Sequence, residues 1–378
     1  HISGRWRREN VKLLGKCGLR VNMKRQIRNP QKFDTLELYS ALARDQGYRI
    51  DAQGDIDAFH QKIGDSLKAS LDNPSLLHGK RVEAMFAHVA GAMGRCKYIK
   101  QEDGGTAFAT SDDFIAPDYR IVTIADELFL VEVKNFHMKH FSSRYRIKRP
   151  YLKKLEAYAK INRADLKIAI YFSTVNQWSL LSPESFMEEN GELWIDLAHA
   201  MARSEMSVIG DRKIGTLPLL RFEMLCEQDQ DKPPISEDGI AEISIRETHM
   251  YCADQRLEGA QEKDIAFYLM RYGDWDVTQG AVEVSDGTLS KVSFLSTPRE
   301  ANNNQEFEIV GSLSSMVCNA FRELTISDDT GIVSLDVKYD PSFFRLKIPE
   351  KYKGKGLPIW QFIIQPNRKF FSDKEHNL

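Results

Sequence analysis

Asp118, Glu132 and Lys134 are the residues of this chain whose types and spacing could do chemistry together. Tyr119 to Ile124 and Leu128 to Val133 are rich in β-branched and aromatic residues, and the Ala-Asp-Glu between them is short enough for a hairpin. Asp118 then opens one strand and Glu132 sits near the end of its partner. Glu132 and Lys134 are two apart, so they share a face of the second strand while Val131 and Val133 take the other. Two carboxylates and an ammonium converge on one spot. Carboxylates of this kind hold Mg²⁺ with the remaining positions left to water and phosphate oxygens. A bound cation acidifies water and stabilises charge on a phosphate, and a nearby ammonium orients the nucleophile or neutralises the transition state. The expected chemistry is hydrolysis of a phosphodiester. The competing reading, a solvated face of an ordinary strand, fits poorly with Leu-Phe-Leu-Val just upstream, which is apolar at every position, as in a strand covered on both sides.

Pro117-Asp118 followed by Glu132-Val133-Lys134 resembles the PD-(D/E)xK nuclease superfamily. The resemblance covers roughly 75 to 174 and extends to the order of elements. Gly79 to Gly91 reads as a helix carrying Glu83, with Val82, Met85, Phe86, Val89 and Ala90 at helical spacing. Cys96 to Gln101 reads as a first strand, Tyr151 to Ile161 as a helix, and Leu166 to Phe172 as a buried strand. The resemblance implies an α/β fold with a restriction-endonuclease-like three-layer core and a mixed sheet. It implies Asp118, Glu132 and Val133 at the metal, Mg²⁺ with Mn²⁺ able to substitute, Lys134 positioning or activating water, and Glu83 assisting. The helix after the lysine has Lys153, Lys154 and Tyr158 and no Gln, unlike RecB-type members. The likeness is therefore nearer to Holliday-junction resolvases or Mrr-type enzymes, between which the residues do not choose. A metal-dependent DNA endonuclease of restriction, phage defence or repair is the implied function, and a catalytically silent domain that binds nucleic acid or a partner protein is the alternative.

Other candidates are weaker. His78 and His88 lie near Glu83, and a lone His near a helix is more often structural or exposed. Glu102, Asp103, Asp112 and Asp113 are expected in a polar loop with Gly104 and Gly105, with Asp113 the substitute ligand should the metal register differ.

The 378 residues carry 52 Lys and Arg against 54 Asp and Glu, a net charge of −2, which argues against a uniformly basic nucleic-acid binder. The distribution is uneven. Between Arg5 and Lys32 ten basic residues, Lys24 and Arg25 among them, face only Glu9. A second cluster includes Lys139, Arg144, Arg146, Lys148, Arg149, Lys153 and Lys154, which could neutralise phosphates, with Phe136, Phe141, Tyr145 and Tyr151 interleaved for stacking on unpaired bases. DNA is the expected partner. The chain has no Walker A glycine loop, so any ATP-driven motion would need a separate ATPase or other subunit, and a homodimer stays open.

The apolar stretches are too short for a membrane span. The N-terminus is basic without an apolar core, so a secretory signal is not expected, and Met23 is a conceivable internal start. The five cysteines, Cys17, Cys96, Cys226, Cys252 and Cys318, are scattered and form no Cys-x-x-Cys pair, which fits a reducing, cytoplasmic setting without zinc. Composition divides the chain into a basic helical region (1–70), the nuclease-like domain (71–226), an acidic Pro-Pro linker (227–239) and a C-terminal α+β accessory domain (240–378). In the last part strands are expected at 241–245, 280–284, 292–295, 332–339 and 359–365, and helices at 261–272 and 310–324.

Overall fold

The chain is described, as a computed structural model, over residues 22–26, 30–31, 34–102, 108–109, 113–228, 243–285, 288–300, 306–349, 352 and 354–370. It is a mixed α/β structure with several sheets. The N-terminal region contributes α1 (Asp34–Gln46) and α2 (Gln53–Leu71). Helix α3 (Pro74–Met93) follows. It is longer than apolar spacing alone suggests because its ends are chemically defined: the Asn73 side chain accepts from Leu76 N at 3.1 Å, Pro74 fits the first turn, and Gly94 closes the helix at φ 76°.

Strands β1 (Cys96–Gln101), β2 (Tyr119–Thr123) and β3 (Leu128–Phe136) form an antiparallel meander. The chain then runs through β4 (Tyr145–Lys148) and helix α4 (Arg149–Ile161), and returns as β5 (Asp165–Phe172), parallel to β3, with β6 (Gln177–Leu181) antiparallel beyond it. The sheet order is β1-β2-β3-β5-β6. Alternation along β3 sets what each face meets. Phe129, Val131 and Val133 join Val82, Phe86 and Val89 of α3, while Leu130 joins Ile168 and Ile170 of β5 and Leu152 and Leu155 of α4. Helices thus cover both faces, which explains why β3 and β5 read as nearly continuous apolar runs.

A small sheet, β4-β8-β7, is completed by β7 (Met187–Glu189) and β8 (Glu192–Ile195). Helices α5 (Leu197–Arg203) and α6 (Met206–Ile209) lead to β9 (Lys213–Thr216) and β10 (Leu220–Gln228). The remainder comprises β11 (Ile243–Cys252), β12 (Gln255–Arg256), α7 (Ala260–Tyr272), β13 (Asp276–Ser285), β14 (Thr288–Thr297), β15 (Glu308–Ser312), α8 (Leu313–Thr325), β16 (Ile326–Ser327), β17 (Gly331–Ile332) and β18 (Trp360–Phe362).

Three sequence expectations meet a different structure here. Strand β10 pairs with β11 and β14, and β9 pairs with β15 and β18, so strand pairing crosses the expected boundary at 226. The linker expected at 227–239 lies, from residue 229 onward, outside the described residues. The helix expected from Val310 begins at Leu313, because residues up to Ser312 pair with β9 and Ser312 then forms a capping box with Ser315. Of the strand expected at 332–339, pairing with β16 stops at Ile332; beyond it Asp336 turns its carboxylate onto Val337 N at 2.8 Å and onto Arg25 at 2.9 Å. Among the described residues, no helix is long and apolar enough to cross a membrane.

Candidate active site

The site begins where the β2–β3 ladder ends. Tyr119 pairs with Val131, and the same register carried on would set Asp118 opposite Glu132 and then Pro117 opposite Val133. Pro117 has no N–H to offer, and the Val133 N–H donates instead to Asp118 Oδ2 at 2.7 Å. That bond fixes the Asp118 carboxylate beside β3 at the level of Glu132. Glu132 and Lys134 share the α4-facing side of β3, where the first turn of α4 brings up Tyr151. The Lys134 ammonium lies 2.5 Å from Glu132 Oε1. The Tyr151 hydroxyl donates to the same oxygen at 2.5 Å and lies 3.4 Å from Lys134 Nζ. Glu132 is only 4% exposed, so it is a buried carboxylate held by two donors.

Burial raises the Asp118 carboxyl first, and the Glu132 charge raises it further. The Val133 N–H and the Lys134 ammonium oppose this, Glu83 adds to it, and the group stands at about 7. Burial lowers the Lys134 ammonium, but Glu132 more than offsets that, so the lysine is held above its usual range and stays charged. The Tyr151 hydroxyl is pushed up to about 12 by burial and by its bond to Glu132, so it serves as a donor.

This donor set fits a hard divalent cation. Asp118 Oδ1 and Glu132 Oε2 accept no hydrogen bond from the described residues, and two like charges in one buried site repel until a cation lies between them. Among the described residues, no group of three or more His, Cys, Asp or Glu is placed to hold a metal. A two-carboxylate set completed by water and substrate oxygens is the way Mg²⁺ is commonly held.

The other sequence candidates are placed as follows. Glu83 forms an ion pair with Lys80 at 2.6 Å, and its charge reaches Asp118. His88 turns to Asp336 at 2.8 Å, and His78 is exposed. Asp113 pairs with Lys154 at 3.3 Å, and Glu102 binds Arg120 and Tyr158 at 2.9 and 2.8 Å. Asp103, Gly104, Gly105 and Asp112 lie outside the described residues. In the basic cluster, Arg144 and Arg146 pair with Glu189 at 3.1 and 3.6 Å, Arg146 also with Glu192, and Arg149 with Glu188. Arg144 also lies 3.7 Å over the Trp194 ring. Lys139, Lys148 and Lys153 are exposed.

Tyr151 is the site residue that sequence reasoning missed in this role, having been read as a stacking platform. Its position three residues past β4, at the start of a helix that returns under β3, is the signal that could have found it.

No protein-family model matches the chain, and no curated protein matches it. Among solved structures, the 1.6 Å structure of Hjc, a Holliday junction resolvase from the archaeal hyperthermophile Archaeoglobus fulgidus, is similar at 15% identity. The match covers 35% of this chain and 96% of that one, with a TM-score of 0.28.

Proposed function

We propose that this protein is a metal-dependent nuclease with a PD-(D/E)xK-type site in a restriction-endonuclease-like three-layer core, hydrolysing phosphodiester bonds in DNA. The observation that carries the reading is the convergence of Asp118, Glu132 and Lys134, with one oxygen of each carboxylate left without a hydrogen-bond donor among the described residues.

Asp118 and Glu132 would hold Mg²⁺, or Mn²⁺ in its place. The cation would polarise the phosphate and supply acidified water at neutral pH. The chain's own groups prepare the site for it. The Val133 N–H holds Asp118 Oδ2 and leaves Oδ1 without a donor among the described residues. Tyr151 and Lys134 together hold Glu132 Oε1, which fixes the direction of Oε2. Lys134 stays protonated beside Glu132, so its role is to donate to a phosphate oxygen and orient the attacking water rather than to abstract a proton. Glu83 adds negative charge behind Asp118 and strengthens the demand for a cation.

The test uses supercoiled, linear and branched DNA with Mg²⁺ or Mn²⁺, an EDTA control, and Lys134→Ala beside the parent protein. Cleavage is expected to disappear with EDTA and to fall by about 100-fold or more in Lys134→Ala. DNA binding without cleavage under every condition would overturn the enzymatic reading in favour of a silent nuclease-like domain.

A further inference from the structure

A second cationic surface lies on the opposite side of the sheet from the arginines of β4 and α4. A cleft of about 880 Å³ runs between α3, the edge strand β1 and the segment 22–26, and Glu83 stands in its wall. Glu83 connects the cleft to the candidate active site, because its charge reaches Asp118 and its carbonyl accepts from the Tyr119 hydroxyl at 3.0 Å. Five cations line the cleft: Lys24, Arg25, Lys80, Lys97 and Lys100. Its two lining carboxylates are already engaged, Glu83 by Lys80 and Asp336 by Arg25 and His88. Lys97 pairs with Asp126. Lys24 and Lys100 are exposed and have no carboxylate partner among the described residues. Beside them Tyr98 stands 47% exposed on an edge strand. The arginines of the other cluster, by contrast, have their charges met by Glu188, Glu189 and Glu192.

We infer that this cleft binds a single-stranded segment of the nucleic-acid substrate, with Lys24 and Lys100 contacting phosphates and Tyr98 stacking on an unpaired base. The inference rests on the proposed nuclease function and adds the substrate class and the path by which it reaches Glu83. Unpaired cations along a groove track a phosphate backbone whatever its sequence. An exposed ring among them selects a strand whose bases are free to stack, since bases within a duplex are already stacked on one another.

The test is fluorescence anisotropy with a labelled single-stranded oligonucleotide and a blunt duplex, in EDTA so that nothing is cut. The proteins compared are the parent, Lys24→Ala/Lys100→Ala, Tyr98→Ala, and Arg144→Ala/Arg146→Ala. The two-lysine variant is expected to bind the single strand about tenfold more weakly, and its log–log salt dependence to be shallower by about 1.4, at roughly 0.7 per lost phosphate contact. Tyr98→Ala is expected to weaken the single strand about tenfold and the duplex little. Neither Lys24 nor Lys100 makes an ion pair with a described residue, so the two-lysine variant should melt as the parent does. Single-strand affinity unchanged in the lysine and tyrosine variants, or lost only in Arg144→Ala/Arg146→Ala, overturns the cleft assignment while leaving the nuclease reading intact. A parent protein that binds neither DNA overturns both.

Discussion

At the scale of single residues, the site is a balance of like charges, and Asp118 exposes that balance most directly. Its folded carboxyl stands at about 7, whereas an unfolded chain would place it at about 4. The group is therefore easiest to bury when protonated. Its contribution favours the fold fully below about pH 4 and is lost as pH rises through about 7. In EDTA, Asp118→Asn should melt higher than the parent at pH 8, by about 4 °C, and the difference should vanish near pH 4. Mg²⁺ should reverse the order at pH 8, raising the parent's melting temperature and leaving the variant's unchanged. Calorimetry at the two pH values, with and without the ion, checks both statements; a variant that Mg²⁺ still stabilises would remove Asp118 from the cation site. Tyr151 is the complementary case. Tyr151→Phe keeps the ring and deletes the donor to Glu132, a bond to a charged acceptor worth about 1.5–3 kcal/mol. Turnover should fall by about 10- to 100-fold and the melting temperature by a few degrees, and full activity in the variant would reduce Tyr151 to packing.

At the scale of elements, what the sequence made legible is what is local. Within α3-β1-β2-β3-β4-α4-β5 every element but the short β4 could be read, because each announces itself within a dozen residues: apolar spacing along α3, unbroken apolar runs in β3 and β5, and a short turn between β2 and β3. Asp118, Glu132 and Lys134 were legible for the same reason, since alternation along one hairpin brings them together. The partners of the basic cluster were not, because Glu188, Glu189 and Glu192 enter only when β7 and β8 fold back onto β4. The same holds for Arg25, whose partner Asp336 is 311 residues away. Helix boundaries fall between these cases. Asn73 at the start of α3 is a legible cap that periodicity alone passed over. Asn73→Ala should cost about 1 kcal/mol, lowering the midpoint of urea unfolding without changing its slope. An unchanged midpoint would show that the helix start is held by packing instead.

At the scale of the whole molecule, the apolar cluster beneath the site draws on both ends of the chain. Val317, Cys318 and Phe321 of α8 lie in the same buried cluster as Val82, Phe86 and Val89 of α3 and Val131 and Val133 of β3. Trp178 on β6 donates to Cys318 Sγ at 3.0 Å, and Arg81 on α3 reaches Thr325 at 3.1 Å. Helix α3 carries Glu83 and β3 carries Glu132 and Lys134, so the late helix α8 supports the face of β3 opposite Glu132 and Lys134. Phe321 is fully buried, and Phe321→Ala should cost about 3–5 kcal/mol. A chain ended at residue 228 should go further, because removing α8 exposes the apolar side of α3 and of the sheet to water. Circular dichroism should show residual helix for that shortened chain but no cooperative melt, and no cleavage activity. A sharp transition within a few degrees of the full-length protein would instead make the first 228 residues a self-sufficient folding unit, with the C-terminal half an appendage to the site rather than part of its foundation.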